Sequence, residues 1–384
     1  MAYIGKTPTS VPLTSSDITD GIITTTKIAD ANVTNPKLTS GSQQNFRNII
    51  INGDMSIAQR GTSATGKTAT GYYTSDRFQT SISSAGTWTQ SQSTDVPTGQ
   101  GFATSLKLDC TTANGSLSSG SELVLRQMIE GQNLQYLKKG TANAESTTIS
   151  FWVKSNKTGT YIIEIDDNDN SRNINKSYTI SSADTWEKKT ITFAGDTTGT
   201  LDNDNGSSFR IFWWLAAGSD FTSGTLATSW ESTTNANRAV GQVNLADSTS
   251  NEFYITGVQL EAGTAASDFE FLPVDVNLNR CQRYFYKATE TETSLTLLNG
   301  HLSGTTGIGT LPHPVTMRTA PSMTYSGNFK FYVAATQTSK TDLGIQSGTR
   351  NFRTIATSIS GTSGQALHID YDSVGAYIDF NSEL

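Results

Sequence analysis

The amino-acid sequence predicts an all-β protein in which an extended N-terminal segment precedes two β-sandwich domains. Three observations lead there. Charged residues are only 16% of the 384-residue chain, against the ~25% of an average globular domain. Thr, Ser, Asn and Gly fill the gap; Thr favours strands and the others favour turns, so the polar excess points to many short strands tightly joined. Segments that alternate apolar and polar residues recur between Gly, Asn, Asp and Ser clusters, which is the pattern of a sandwich.

The N-terminal segment, residues 1–45, carries a repeat in which Asp20-Gly-Ile-Ile-Thr-Thr-Thr-Lys-Ile-Ala overlays Asp30-Ala-Asn-Val-Thr-Asn-Pro-Lys-Leu-Thr. Its apolar positions are Leu13, Ile18, Ile23, Ile28, Val33 and Leu38, five residues apart. On a helix five residues turn the side chain by roughly 140°, and on a strand an odd spacing alternates faces, so neither element gathers them on one side. A threefold intertwined shaft would bury one apolar residue per chain in each layer, which makes these six the candidate core of a homotrimer. A flexible linker is the other reading of so polar a segment.

Residues 46–275 form the first predicted domain. Ser105–Asp109, Thr148–Lys154, Tyr161–Ile165, Trp186–Phe193, Phe209–Leu215 and Phe253–Glu261 read as strands, and Leu134 and Leu137 suggest one short helix over Gln132–Lys138. In Phe209–Leu215 the pleat sends Phe209, Ile211, Trp213 and Leu215 one way and Arg210, Phe212 and Trp214 the other. One set must be core. The second, an arginine among aromatics, is either a platform for stacking sugar rings or a surface that packs against a neighbouring domain or protomer. Residues 276–384 form the second β domain, with strands at Phe329–Val333, Leu367–Tyr371 and Tyr377–Phe380.

Composition and motifs exclude several functions. A net charge of −7 without a basic run offers no grip on nucleic acid, and the most apolar run, Ile211–Ala217, is too short to insert in a membrane. Nothing in Met1–Pro8 has the form of an export signal. Cys110 and Cys281 read as small buried hydrophobes in β-like segments. Gly61-Thr-Ser-Ala-Thr-Gly-Lys-Thr68 spells a phosphate-binding loop, yet no helix start follows it, so a surface loop is expected. Asp166-Asp-Asn-Asp-Asn170 lacks the Gly and the Glu of a calcium loop and reads as a hairpin turn more readily than as a metal site. His301, His313 and His368 form no zinc or triad spacing. No catalytic residue, metal ligand or cofactor is predicted, although paired carboxylates for sugar hydrolysis need only proximity in space, which sequence does not show.

The chain resembles the fibre proteins of tailed bacteriophages in three pieces. Met1-Ala-Tyr-Ile-Gly and the repeat are similar to fibre N-termini of marine phages, including cyanophages. The middle piece carries Asn52-Gly-Asp-Met-Ser-Ile-Ala-Gln-Arg-Gly61, Tyr73-Thr-Ser-Asp-Arg-Phe78, Ser150-Phe-Trp-Val-Lys-Ser155, Phe193-Ala-Gly-Asp-Thr-Thr-Gly-Thr200 and Ile255-Thr-Gly-Val-Gln-Leu-Glu-Ala-Gly263. The last carries Cys281-Gln-Arg-Tyr-Phe-Tyr-Lys287 and Met317-Arg-Thr-Ala-Pro-Ser-Met323. The resemblance implies a middle domain like the jelly rolls of carbohydrate-binding modules and no catalytic residues. It also implies that Gly257 stands where those modules commonly place an Asp that helps bind structural calcium, and the departure counts against that ion.

The expectation is therefore a trimeric virion protein, assembled in the host cytoplasm. Residues 1–45 would attach it to a tail or baseplate protein, and a β domain, 276–384 as the distal one, would bind a host-surface polysaccharide. Arg210, Phe212 and Trp214 are the candidate sugar contacts. A fibre that also depolymerises the glycan is the alternative. Light scattering on the full chain is expected to give the mass of three 41.2-kDa copies; a persistent monomer would contradict the shaft.

Overall fold

The computed structural model describes residues 46–289, 296–334, 336–341, 343–372 and 375–384. The shaft positions Leu13, Ile18, Ile23, Ile28, Val33 and Leu38 lie outside the described residues. Arg47–Leu384 is one compact unit, all-β in class, with two lobes.

The first lobe is two antiparallel sheets packed face to face. Its strands are β1 (Ser63–Lys67), β2 (Gly71–Tyr72), β3 (Gln79–Ser83), β4 (Thr87–Ser93), β5 (Ser105–Thr112), β6 (Glu122–Glu130), β7 (Thr147–Ser155), β8 (Gly159–Asp167), β9 (Arg172–Ile180), β10 (Glu187–Phe193), β11 (Ser207–Ala217), β12 (Glu231–Ser232) and β13 (Glu252–Ala262), with a one-turn helix α1 (Ser219–Thr222) after β11. The six-stranded sheet runs β1-β4-β5-β13-β7-β10 and the seven-stranded sheet β12-β9-β8-β11-β6-β3-β2. Because side chains alternate across each strand, Phe151, Val153, Ile211, Trp213, Phe253 and Leu106 meet between the sheets in one core. The strands expected from alternation are all present here.

The expected helix over Gln132–Lys138 is absent. Two 3₁₀ turns, Gly131–Asn133 and Gln135–Leu137, stand in its place, closed by Lys138 at φ 52°. Leu134 and Leu137 are buried as anticipated. The segment's own bonds are i→i+3, from the N–H groups of Leu134, Leu137 and Lys138 to Gly131, Leu134 and Gln135, while the N–H groups of Gly131 and Gln132 bond to Gly206 and Asp204.

The second lobe opens with helix α2 (Val274–Gln282) and continues through β14 (Phe285–Thr289), β15 (Thr296–Ser303), β16 (Thr306–Pro312), β17 (Ser322–Ser326), β18 (Phe329–Val333), β19 (Thr336–Lys340), β20 (Gly344–Ser347), β21 (Asn351–Ala356), β22 (Ala366–Tyr371) and β23 (Tyr377–Asn381). A three-stranded sheet, β14-β23-β17, packs on a seven-stranded one, β19-β18-β22-β15-β16-β21-β20, around Phe329, Phe331, Phe352, Ile369, Ile378 and Phe380. Cys110 and Cys281 are both buried free thiols, but Cys281 sits on α2 and not in a strand.

A buried polar seam joins the lobes, and four of the sequence blocks that carry the fibre resemblance converge on it. Asn52, at φ 61°, fixes the entry: its side chain bonds both backbone groups of Ile57 and the carbonyl of Asp76. Gln59 then bonds the Asp76 carboxylate and, at 2.8 Å, the carbonyl of Phe285 in the second lobe. Arg77 is fully buried, pairs with Glu383, donates to the Met128 carbonyl at 2.6 Å and lies 3.4 Å over the Tyr284 ring. Arg283 grips Glu130 through two bonds of 2.7 Å, and Arg318 donates to the carbonyls of Ser382, Glu383 and Asn205. A charge held away from water is tolerable only when paired and hydrogen-bonded, so each of these partners is needed by the other lobe.

Two titrations at the seam oppose each other. Burial pushes the Asp76 carboxyl up to about 7, against Arg60 and Gln59, so its contribution to stability declines as pH rises from about 4 towards 7. Burial also pushes Glu130 up, but hydrogen bonds from Arg283 and Tyr284 outweigh it and hold the carboxyl below its usual range. That contribution is complete above roughly pH 4.3 and is lost in stronger acid. Urea titrations are expected to show greatest stability near pH 5 and a loss of about 3–5 kcal/mol for Glu383→Ala, which strands Arg77 without a counter-charge; a change under about 1 kcal/mol would show that the pair does not hold the lobes.

Candidate functional site

The outer faces of the two sheets in the first lobe have opposite fates. On the seven-stranded sheet, β11 is apolar on both sides: Phe209, Ile211, Trp213 and Leu215 enter the main core, and Phe212 and Trp214 form a second cluster with Val124 and Ile162. The segment after β11 covers that cluster with Phe221, Leu226 and Ala239. Trp214 is 0% exposed, packs with tilted rings at 5.2 Å against Phe221 and donates its indole N–H to Glu164. Phe212 is buried, and Arg210 is paired with Asp166 at 2.5 Å. The expected sugar contacts Arg210, Phe212 and Trp214 are thus brought together, but Phe212 and Trp214 are roofed by their own domain and packing accounts for them, while Arg210 stays partly exposed in its pair with Asp166. A strand apolar on both faces is covered on both faces, and that signal was already present in the sequence.

The six-stranded sheet keeps its outer face polar: Thr148, Ser150, Thr256 and Gln259 on it are buried, and Trp152 and Lys154 are half-buried. On β7 the inward residues are Ile149, Phe151 and Val153; Ser150, Trp152 and Lys154 point out. The register sets Trp152 beside Thr256 of β13 and Lys188 of β10. Phe102, Phe269 and Phe271 rise beside it as one aromatic group, with ring centroids 4.8–5.1 Å apart. Between them lies a cleft of about 170 Å³, floored by Trp152 and edged by Gln100, Ser150, Lys188 and Asp268. Phe271, 50% exposed, forms its lip.

Gly257 shapes the floor. It sits at φ 61° in the bulge between Thr256 and Gln259, and a Cβ there would lie 2.6 Å from Phe102 and 3.1 Å from Trp152. No side chain fits, an Asp included, which is a packing reason for the departure from the module pattern. The segment carrying Phe269 is tied down by Gln259, which accepts from the Glu270 N–H and donates to Ser267, and by Glu261, which accepts from Ser267.

Further along the same face Asp95 accepts from Lys154 and, at 2.9 Å, from the Trp186 indole, while Glu252 accepts from Lys107 and the Tyr254 hydroxyl. Burial raises the Asp95 carboxyl slightly, but the bonds from Lys154 and Trp186 hold it below the usual carboxylate range. Lys154 lies 4.4 Å over the Tyr254 ring. The face therefore alternates half-buried aromatic surface with ionised, hydrogen-bonded groups that stay charged at neutral pH. Such a surface can stack the apolar side of a sugar ring and bond its edge hydroxyls. Alone among outward residues of β7, Trp152 is aromatic on an otherwise polar face, and that is the sequence signal by which it could have been found.

The other singled-out motifs are placed plainly. Gly61–Thr68 is mostly β1, an edge strand with no helix after it. Asp166–Asn170 ends β8 in a hairpin turn in which Asp167 accepts from the N–H groups of Asp169 and Asn170. His313 is buried against Phe352 and Phe380, and burial lowers its pKa.

No protein-family model and no curated protein matches the chain. Solved structures that align with part of the chain include an enzymatically active tailspike domain of bacteriophage CBA120, at 14% identity and TM-score 0.29, covering 56% of this chain and 21% of that one. The chain thus spans about a fifth of that tailspike's length. A CBM4 structure is similar at 14% identity and TM-score 0.28, covering 55% and 97%. The C-terminal family 22 carbohydrate-binding module of Clostridium thermocellum Xyn10B follows at 10% identity and TM-score 0.26, covering 50% and 89%. These superpositions are slight, and the functional reading rests on the chain's own geometry.

Gly257→Ala is expected to cost about 1–2 kcal/mol for the left-handed backbone and about 1–3 kcal/mol for displaced rings. A thermal melt reads the sum. An unchanged midpoint would show that Phe102 and Trp152 do not close over this glycine.

Proposed function

We propose that the chain is a non-enzymatic fibre or spike subunit of a tailed phage that binds a host-surface polysaccharide on the outer face of the six-stranded sheet. The observation that carries the binding part is the cleft floored by Trp152: a half-buried aromatic plane, an aromatic wall and several unlike polar groups converge on one side of the sheet, which is the chemistry a neutral sugar ring selects. Virion attachment through residues 1–45, trimer formation and a place on the phage tail rest on the resemblance and on the five-residue repeat. The distal-tip assignment for 276–384 is replaced in this reading by a face of the first lobe, because that lobe carries the open aromatic cleft.

The test uses the full chain and a panel of host-surface polysaccharides. Trp152→Ala, at a half-buried site outside the core, is expected to lower binding at least about tenfold, as loss of a stacking plane does, while the melting temperature stays within a few degrees. Undiminished binding by that variant would remove the cleft from the mechanism. Sizing the same polysaccharide after incubation separates a binder, which leaves chain length unchanged, from a depolymerase, which shortens it.

A further inference from the structure

A second concavity lies where the lobes meet, and nothing above uses it. It has a volume of about 400 Å³ between the hairpin edge of the first lobe and the three-stranded sheet of the second. Three cations face it: Arg60, Lys67 and Lys287. Arg60 is committed, flat against Phe285 at 3.6 Å and shared with Asp76 and Glu383. Lys287 stands 3.6 Å from Asp379 and 4.2 Å over the Tyr377 ring. Lys67 has no carboxylate partner among the described residues, and its ammonium lies 4.9 Å over the Tyr73 ring. Asp379 is the one acid lining the groove, and burial pushes its carboxyl up, against Lys287 and Arg60.

The balance is an excess of positive charge beside three half-buried tyrosine rings, those of Tyr72, Tyr73 and Tyr377, with Ser322, Thr324 and Asn381 as neutral hydrogen-bonding groups on the facing strands. A neutral sugar would leave Lys67 unpaired, whereas an acidic one would pair it. We propose that this interlobe groove binds an acidic sugar residue, its carboxylate against Lys67 and its ring stacked on Tyr73 or Tyr377. Lys67 is the lysine of the Gly61–Thr68 match. It reaches the groove because β1 is an edge strand that ends at the seam, not because a helix aims it at phosphate. The groove is also built from both lobes, so neither makes it alone. This site is distinct from the Trp152 cleft, and either can fail without the other.

The experiment titrates the full chain with oligogalacturonate, oligosialic acid and the fully methyl-esterified form of each. Binding of at least one acidic oligomer is expected, with the ester bound at least about tenfold more weakly and affinity falling as salt rises from about 50 to about 300 mM. Lys67→Ala is expected to lose about tenfold and Lys67→Arg to recover part of it. Lys340→Ala, which removes the same charge elsewhere, should change nothing. The proposal is overturned if no acidic oligomer binds, if the ester binds equally, if Lys67→Ala binds as the parent does, or if inorganic phosphate alone displaces the oligomer and so marks a plain anion site.

Discussion

Arg77 is a full positive charge with no route to water, and much of the architecture of Arg47–Leu384 follows from satisfying it. Its counter-charge, Glu383, is the second residue from the end of the chain, and its ring partner, Tyr284, begins the second lobe. Removing one partner while the lobes stay together would leave the other a stranded ion, whose cost exceeds that of most single contacts. The seam is therefore more than adhesion between two sandwiches. It fixes their relative placement, and with it the groove in which β1 of one lobe faces β23 of the other.

That constraint also explains what the fibre-like sequence blocks are for. Asn52, Gln59, Asp76, Arg77, Arg283, Tyr284 and Arg318 come from four separated blocks, and each makes its main contacts at the seam. Residues of this kind are recognisable because a buried charge tolerates few substitutes.

The two sheet faces of the first lobe show how covering is decided. Both begin as alternating strands. The segment after β11 supplies Phe221, Leu226 and Ala239 and closes one face over Trp214. On the other sheet the flanking segments bring Phe102, Phe269 and Phe271 to one side only, tied by Gln259 and Glu261, so Trp152 becomes a floor and not a core residue. Gly257 permits this by bringing no side chain between the two rings.

Strand parity was legible from the sequence alone, because alternation is a local property of period two: it separated Trp213 from Trp214 and set the all-β class. Turn chemistry was legible too, and Asp167 caps the hairpin that its neighbours suggested. The helix over 132–138 is instead two short 3₁₀ turns, whose start is anchored to Asp204 and Gly206 some seventy residues away and whose end is turned by Lys138 in the left-handed region. The identity of the open face, the reach of Lys67 into the groove and the pairing of Arg77 with Glu383 were decided only by tertiary structure. Each depends on contacts between residues tens to hundreds of positions apart, and no local period carries the information that one outward face will be roofed while another meets solvent.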